Sequence, residues 1–185
     1  MSSPDRARGR LAMVAGLLCL GLAASGCTVR PLYSDASLVG PATGDAAKLA
    51  SIGIKPVETR YAQIVRNELI FLLDRGSGEP ANPAYELKLA VASTVTPTIF
   101  APLPNQTNDD VGVSTAAAVT LTAAYTLTDL KTSSVIAGGK RRASASFDQP
   151  LQQYAALTAE QDAQKRAAKE LAQQLQLALA QDLAR

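Results

Sequence analysis

The amino-acid sequence predicts an α+β fold, a two-layer sandwich in which two helices cover one face of a four-stranded, mostly antiparallel sheet. Two patterns support this prediction. In two segments apolar residues recur every three or four positions, which is typical of amphipathic helices, and in others apolar and polar residues alternate, which is typical of half-buried strands. The segments follow in the order β-α-β-β-β-α, and their apolar faces are buried best when both helices lie on the same face of the sheet.

The first strand and the first helix are predicted within residues 49–76. Ile52 and Ile54 alternate with small or polar residues, which favours a short strand. The helix is expected to follow Thr59 as its N-cap and to stop at Gly76. Its predicted core residues are Tyr61, Val65, Leu69 and Leu72.

Three further strands are predicted within residues 83–95, 119–130 and 135–148, and the last two should form a long antiparallel hairpin. Between the first two of these strands, the segment TPTIFAPLPNQTNDDVG holds three prolines and is predicted to be an exposed loop. Gly138 and Gly139 are candidates for a β-bulge, because glycine weakens the interior of a strand. The predicted core residues of the sheet are Leu87, Leu89, Leu121 and Tyr125.

The last helix is predicted over residues 158–183. Thr158 and Gln161 have the spacing of a capping box, and an apolar stripe of alanines and then leucines follows them. Leu171 and Leu175 are the expected core residues of this stripe. A helix of this length spans about 39 Å at its rise per residue, which matches strands of about twelve residues.

The N-terminal segment has the features of a lipoprotein signal peptide. Three arginines precede an apolar run from Leu11 to Leu22, and the run ends in Ala-Ala-Ser-Gly before Cys27. This arrangement resembles the lipobox of bacterial lipoproteins, in which the cysteine becomes the acylated first residue after cleavage. The alternative interpretation is an N-terminal membrane anchor that happens to contain a cysteine.

These features divide the chain into three parts. Residues 1–26 are expected to be the signal peptide, and residues 27–48 the lipidated cysteine with a flexible tether. The tether assignment rests on SDASLVGPATGDAAK, which lacks apolar periodicity and is interrupted by glycine and proline. Residues 49–185 are expected to form one α+β domain, a length that suits a single core.

Composition excludes several classes of function. The signal peptide holds three of the 18 basic and one of the 16 acidic residues, so 15 of each remain and no basic stripe for nucleic acid is expected. The chain has no histidine, which excludes Ser-His-Asp and Cys-His catalysis, and its other cysteine, Cys19, lies in the signal peptide. No phosphate-binding or nucleophile motif appears. We therefore expect a non-enzymatic protein without a metal or cofactor, and a hydrolase is a distant alternative.

Four stretches, in the order of the predicted elements, carry a resemblance to a known family. They are GCTVRPLY at the acylation site, QIVRNEL in the first helix, AAYTLTD in the third strand and YAALTAEQDAQKRAAKELAQQL in the last helix. Together with the signal peptide and the β-α-β-β-β-α order, they resemble the LPS-assembly lipoproteins of the LptE type, especially the alphaproteobacterial branch.

The resemblance implies an assembly role. Members of this family are lipid-anchored in the outer membrane, face the periplasm and plug a large β-barrel of the LptD type that delivers lipopolysaccharide to the cell surface. The implied partners are this barrel, lipopolysaccharide and the membrane that holds the lipid anchor. The alternative is a freestanding periplasmic lipid-binding lipoprotein without a barrel partner, which would need a concave apolar pocket that the predicted fold does not offer.

Two regions are candidates for contact with the barrel. In the predicted loop, Ile99, Phe100 and Leu103 are apolar side chains that a solvated loop does not require. On the polar sheet face, Thr120 and Thr122 are the next candidates. For the loop, a disordered segment with incidental apolar residues is an equally open interpretation, and for the sheet face a solvated surface is the simpler one.

Lipopolysaccharide contact is expected at the dense basic run Lys140, Arg141 and Arg142 in the fourth strand. Many relatives place a basic residue just before the third strand, where this chain has TNDDVGVST instead. Alternation along a strand puts Arg141 on the opposite face from its two neighbours. The alternative is that these are solvated charges that protect a strand edge.

We predict that the membrane-bound mature protein lacks residues 1–26 and carries acyl chains, including palmitate, on Cys27. Intact-mass measurement of the protein extracted from membranes checks this prediction, with Cys27→Ser as the control that should stay unacylated. A membrane form in which Cys27 is unmodified would contradict it.

Overall fold

The computed structural model describes residues 44–102 and 112–184. The elements in chain order are helix α1 (Asp45–Ala50), strand β1 (Ile52–Ile54), helix α2 (Arg60–Leu73), strands β2 (Tyr85–Pro102), β3 (Gly112–Asp129) and β4 (Ser134–Asp148), and helix α3 (Gln153–Leu183). The sheet order is β1-β2-β3-β4, with β1 parallel to β2 and the other pairs antiparallel. The predicted α+β class with a mostly antiparallel four-stranded sheet is confirmed. Cys27, Leu103 and most of the predicted tether lie outside the described residues.

The sheet buries one face under the helices. From Ala117 to Leu127 in β3, alternate side chains are almost completely buried, whereas the residues between them are half-exposed. Helix α3 packs on β3 and β4, and α2 packs on α3 and on the start of β2. Both long helices therefore lie on one face, as predicted, and none of the described helices lies over the other face.

Helix α1 replaces the end of the predicted tether. The sequence analysis placed residues 45–48 in that tether and Leu49 in the first strand, but these residues form a helix in which Ala46 and Leu49 are buried. The Lys48 Nζ atom donates to the Leu183 carbonyl at 3.1 Å, which ties α1 to the end of α3. Six residues do not form a stable helix alone, so tertiary contact decides this structure and the pattern of DAAKLA could not reveal it.

The buried face of α2 is turned slightly from the predicted one. Thr59 is the N-cap, and Gly76 follows the end of the helix with φ 87°, as the sequence predicted. Tyr61 and Leu72, however, are only half-buried, since Ala62 and Leu73 take the inner positions beside Val65 and Leu69. The other predicted core residues are buried: Val65, Leu69, Leu87, Leu89, Leu121, Tyr125, Leu171 and Leu175.

Strand β2 continues where a loop was predicted. It runs through Pro97 to Pro102, and only residues 103–111 of the predicted loop lie outside the described chain. The Lys55 amide donates to the Leu87 carbonyl at 2.9 Å, so odd-numbered residues of β2 point their backbone groups away from β3. Pro97 therefore costs no hydrogen bond to β3, and the pairing shifts register just after it.

Helix α3 begins earlier than predicted. It starts at Gln153, and Thr158 lies inside it with its hydroxyl donating to the Tyr154 carbonyl at 2.9 Å. The predicted capping box is therefore wrong, because residues 153–157 are compatible with a helix and extend it by more than a turn.

The predicted bulge at Gly138 and Gly139 is also displaced. The register shift between β3 and β4 falls at Leu127 and Thr128, which pair with Ala137 and Val135. Gly139 lies in the regular ladder opposite Tyr125, where a Cβ atom would come within 3.1 Å of the tyrosine ring. Close approach of this ring, and not a bulge, accounts for glycine at this position.

The outer edge of short β1 is closed by side chains. The Ile54 amide donates to Glu79 Oε1 at 2.9 Å, and Arg66 donates to the Ile54 carbonyl through Nε at 3.1 Å and Nη2 at 3.0 Å. Arg66 and Glu79 also pair directly at 2.6 Å. Together they take the place of a neighbouring strand beside β1.

We predict that Leu171→Ala lowers the free energy of unfolding by about 2–5 kcal/mol, because it leaves a cavity where α3 packs most tightly. Leu171 is fully buried, whereas Leu177 on the same helix is 52% exposed. Leu177→Ala is therefore the matched control and should cost much less. Urea unfolding of a soluble chain that begins before Asp45, so that α1 is kept, measures both. Equal losses for the two variants would show that the buried face of α3 is wrongly assigned.

Candidate functional site

The sheet face away from the helices is the broadest candidate surface, and we call it the open face. Its central strand, β3, contributes only small side chains between Ala118 and Thr128, each of them half-exposed. β-branched threonine keeps strand propensity while offering a hydroxyl to solvent or to a partner. The floor of the open face comprises Ala118, Thr120, Thr122, Ala124, Thr126 and Thr128.

Three cations flank this floor. Lys88 of β2 lies opposite Thr126, while Lys140 and Arg142 of β4 lie opposite Ala124 and Thr122. In the described parts of the chain, none of these three charged groups pairs with a carboxylate. The nearby carboxylate of Glu86 is already paired with Lys55 at 3.0 Å. The result is a flat hydroxyl and methyl surface with a net positive border.

Arg141 does not belong to this border. Its guanidinium lies over the Tyr125 ring at 6.0 Å from the centroid, on the helix side of the sheet, and its Nη1 donates to the Lys140 carbonyl at 2.9 Å. The Tyr125 hydroxyl in turn donates to Asp182 of α3 at 2.8 Å. The three candidates for lipopolysaccharide contact are thus divided, with Lys140 and Arg142 on the open face and Arg141 in the packing between sheet and helix.

The sequence analysis did not select Lys88 as a candidate for lipopolysaccharide contact. Lys88 stands some fifty positions before Lys140, and only strand register brings the two to the same face. Its alternating position on a half-buried strand was the available signal, because such a residue must face away from the core. Thr120 and Thr122 do lie on the open face, and Thr122 stands directly between Ala92 and Arg142.

A second candidate surface lies at the end of the sheet where β2 and β3 extend past β4, which we call the distal end. The backbones of Ile99 and Phe100 lie here, paired with Ala116 and Ser114. Three apolar side chains in or just before the first turns of α3 are strongly exposed nearby, Leu151 at 88%, Tyr154 at 83% and Leu157 at 52%. The sequence analysis did not select them, and all three precede the helix start that it predicted at Thr158.

The distal end also holds an open cleft of about 520 Å³. Its lining mixes apolar and charged groups: Thr98, Ala116, Ser146, Phe147, Asp148, Ala159, Asp162 and Arg166. Arg166 already bonds both Asp162, at 3.0 Å, and the Ser146 carbonyl, at 2.9 Å. A cleft with this lining is not an apolar pocket for a fatty acyl chain.

Within residues 44–102 and 112–184, no group of three or more acidic, cysteine or histidine side chains is placed to hold a metal ion. No helix in the same residues is long and apolar enough to cross a bilayer.

Comparison with known proteins adds independent information on the fold. A protein from Caulobacter crescentus CB15 that is assigned as a lipoprotein matches with a TM-score of 0.59 and 30% identity, covering 76% of this chain and 96% of its own. A minor lipoprotein from Acinetobacter baumannii has the same fold, with a TM-score of 0.51 at 15% identity over 71% of this chain and 89% of its own. No curated protein matches the sequence.

The family comparison covers most of the described domain. The profile of the LptE family, described as lipopolysaccharide-assembly, matches residues 49–179, from the end of α1 to the last turns of α3. Because this match spans more than half of the sequence, and because the Caulobacter crescentus protein agrees with it in fold and in sequence, the chain belongs to the LptE family of lipopolysaccharide-assembly lipoproteins.

Proposed function

We propose that this protein is anchored by lipid in the outer membrane, faces the periplasm and plugs a lipopolysaccharide-export β-barrel of the LptD type, supporting barrel assembly and the insertion of lipopolysaccharide at the cell surface. The proposal begins from family membership, which is that of a non-enzymatic assembly lipoprotein. The observation in the domain that carries it is the open face, a wide surface over which no helix lies in residues 44–102 and 112–184.

A plug needs a filled core and a polar exterior, and the domain has both. The buried side chains of the helices and the sheet are aliphatic or aromatic, with Gln176 the buried polar exception among the described residues. The Gln176 amide donates to the Leu72 carbonyl at 2.9 Å, so this polar group is satisfied. Threonine hydroxyls on the open face both donate and accept hydrogen bonds, which suits the polar side chains that line a barrel lumen.

The cationic border supports contact with lipopolysaccharide during its passage. Lys140 and Arg142 project on the same side as the threonine floor, and both are exposed. Charge-assisted hydrogen bonds to phosphate are about twice as strong as neutral ones. We assign the phosphate contact to these two side chains, with Lys88 on the facing strand, and not to Arg141.

The lipid anchor completes the proposed placement. Acylation at Cys27 would leave 17 residues, 28–44, before α1, which at roughly 3.3 Å per residue can span on the order of 55 Å. That reach allows the acyl chains to stay in the inner leaflet of the outer membrane while the domain rises into the barrel lumen. The distal end, with its exposed apolar side chains, then supplies a second surface for the barrel wall.

We predict that replacing residues 99–104 with Gly and Ser lowers recovery of the barrel in affinity purification from detergent-solubilised outer membrane, because the replacement removes Ile99, Phe100 and Leu103. Unchanged circular dichroism of the domain would show that the loss is not caused by unfolding. Full recovery would remove the distal end from the interface.

In that case Thr120→Arg with Thr122→Arg should reduce recovery, with Thr132→Arg in the exposed β3–β4 turn as the matched control. If neither change reduces recovery, or if the wild-type protein brings down no barrel, the plug proposal is wrong and the freestanding lipid-binding alternative gains support.

We predict that Lys140→Ala with Arg142→Ala weakens binding of purified lipopolysaccharide by about tenfold, equivalent to about 1.4 kcal/mol. Lys165→Ala with Lys169→Ala removes the same charge from the exposed side of α3 and is the matched control. The difference between the two double variants should shrink as salt rises, since exposed ion pairs are screened. Equal weakening by both would mean that net charge, and not the open face, attracts the lipid.

A further inference from the structure

The outer edges of β4 and β1 are protected by charged side chains. On β4, Arg141 donates to the Lys140 carbonyl and Arg166 donates to the Ser146 carbonyl, each at 2.9 Å. On β1, Arg66 and Glu79 satisfy the carbonyl and the amide of Ile54. Charges and bonded carbonyls at a strand edge oppose its pairing with another chain.

The outer edge of β2 is covered by β1 at one end only, and the rest of this edge lacks such protection within the described chain. Strand β1 pairs only with Tyr85 to Leu87, and beyond it the outward backbone groups belong to Leu89, Val91, Ser93 and Val95. Within the described chain no backbone or side-chain group bonds to them. Residues 89–96 read LAVASTVT and contain no charge. We call these residues the free edge.

The described helices bury Leu89 but leave the far end of the free edge exposed on the same side. Helix α2 has 14 residues and contacts the start of β2, while α3 packs on β3 and β4. Val95 points toward the helix side and is still 41% exposed. Within residues 44–102 and 112–184, no strand pairs with the free edge, and its helix-side face becomes exposed toward Val95.

The free edge has limits that are symmetric about one residue. On one side β1 ends at the level of Leu87, and on the other Pro97 has no amide to donate and is followed by a register shift. Leu87 and Pro97 stand equally far from Ala92. We propose that the free edge pairs in antiparallel fashion with the same edge of a second copy of this chain, about a two-fold axis at Ala92.

The pairing that follows is self-consistent. Leu89 lies opposite Val95 of the second copy and Val91 opposite its Ser93, so the outward groups form about eight hydrogen bonds. Lys88 lies opposite an uncharged threonine, Thr96, so no like charges meet. Each strand must diverge where β1 of the other copy begins, and the register shift after Pro97 bends β2 at that position.

A second copy fits these limits better than an unrelated strand. A longer foreign strand would meet β1 at one end of the free edge and lose hydrogen bonds at Pro97 at the other. The two-fold axis stands perpendicular to the sheet, so both open faces lie side by side in one eight-stranded sheet. This pairing goes beyond the proposed function and concerns the lipoprotein outside its complex with a barrel.

Single cysteines test the axis directly in the mature lipoprotein in detergent, where acylated Cys27 offers no thiol. Ala92→Cys places two thiols at a directly opposed pair without mutual hydrogen bonds, with Cα atoms about 4.5 Å apart, within disulfide range. Ala90→Cys, on the same exposed face, leaves its thiols about 14 Å apart along the strands and is the matched control. We expect about tenfold more covalent dimer from Ala92→Cys than from Ala90→Cys under mild oxidation. Equal yields, or no dimer from Ala92→Cys, would overturn the proposal.

A second substitution separates pairing from random collision. Ser93→Pro removes an outward amide and leaves the ladder to β3 intact, so the domain should keep its circular dichroism while the Ala92→Cys dimer and the dimer mass in light scattering are lost. If Ser93→Pro fails to fold, Val95→Lys adds a charge at the exposed free edge and should have the same effect. Persistence of the dimer in a folded variant would overturn the proposal. The proposal would also be overturned if the wild-type protein is monomeric and its free edge is needed only to capture a barrel.

Discussion

Close packing of the alanine-rich face of α3 on the sheet is the interaction on which the rest of the structure depends. Ala163, Ala167 and Ala168 are fully buried, and on β4 the facing layer includes the small side chains of Ala143 and Ala145. Small residues on both surfaces bring the helix near the sheet, and the leucines that follow fill the wider space toward its C-terminal half. Both α2 and α1 in turn contact α3, so the position of α3 on the sheet also positions the other described helices.

The C-terminal half of α3 then fixes the remaining helices through specific polar contacts. Gln176 bonds the Leu72 carbonyl at the end of α2, and Lys48 of α1 bonds the Leu183 carbonyl. The Tyr125 hydroxyl donates to Asp182, which connects the same region of α3 to the centre of the sheet. The Arg141 guanidinium lies over the ring of Tyr125. These bonds satisfy polar groups that packing would otherwise leave unpaired at a cost of about 1–3 kcal/mol each.

Because all three helices contribute to one layer, the opposite face of the sheet is left to solvent or to a partner. Threonine hydroxyls lie at its centre, and Lys88, Lys140 and Arg142 lie at its border. The same asymmetry appears at the edges, where arginines bond the outward carbonyls of β4 and β1 but leave part of β2 without partners in the described chain.

Local patterns in the sequence determined the types and order of the described elements other than α1, and most of the core. Alternation in YELKLAV and periodicity in YAQIVRNEL depend on which side chains a chain can bury, so they identify Leu87, Val65 and their neighbours without knowledge of the fold. The same alternation separated Arg141 from Lys140 and Arg142. The lipoprotein interpretation of the Ala-Ser-Gly-Cys stretch also rests on local sequence, and it stays a prediction.

Only the tertiary structure decided what depends on register and on contacts distant in sequence. Lys88 joins Lys140 and Arg142 because three strands align, and α1 is a helix because Lys48 and Leu49 meet α3. Pro97 lies within a strand because its missing amide faces away from β3, a direction that no local pattern encodes. The preference of a residue for burial depends on its own side chain, so it can be predicted from the sequence. Register and edge exposure are properties of pairs of strands, so they arise only when the sheet has formed.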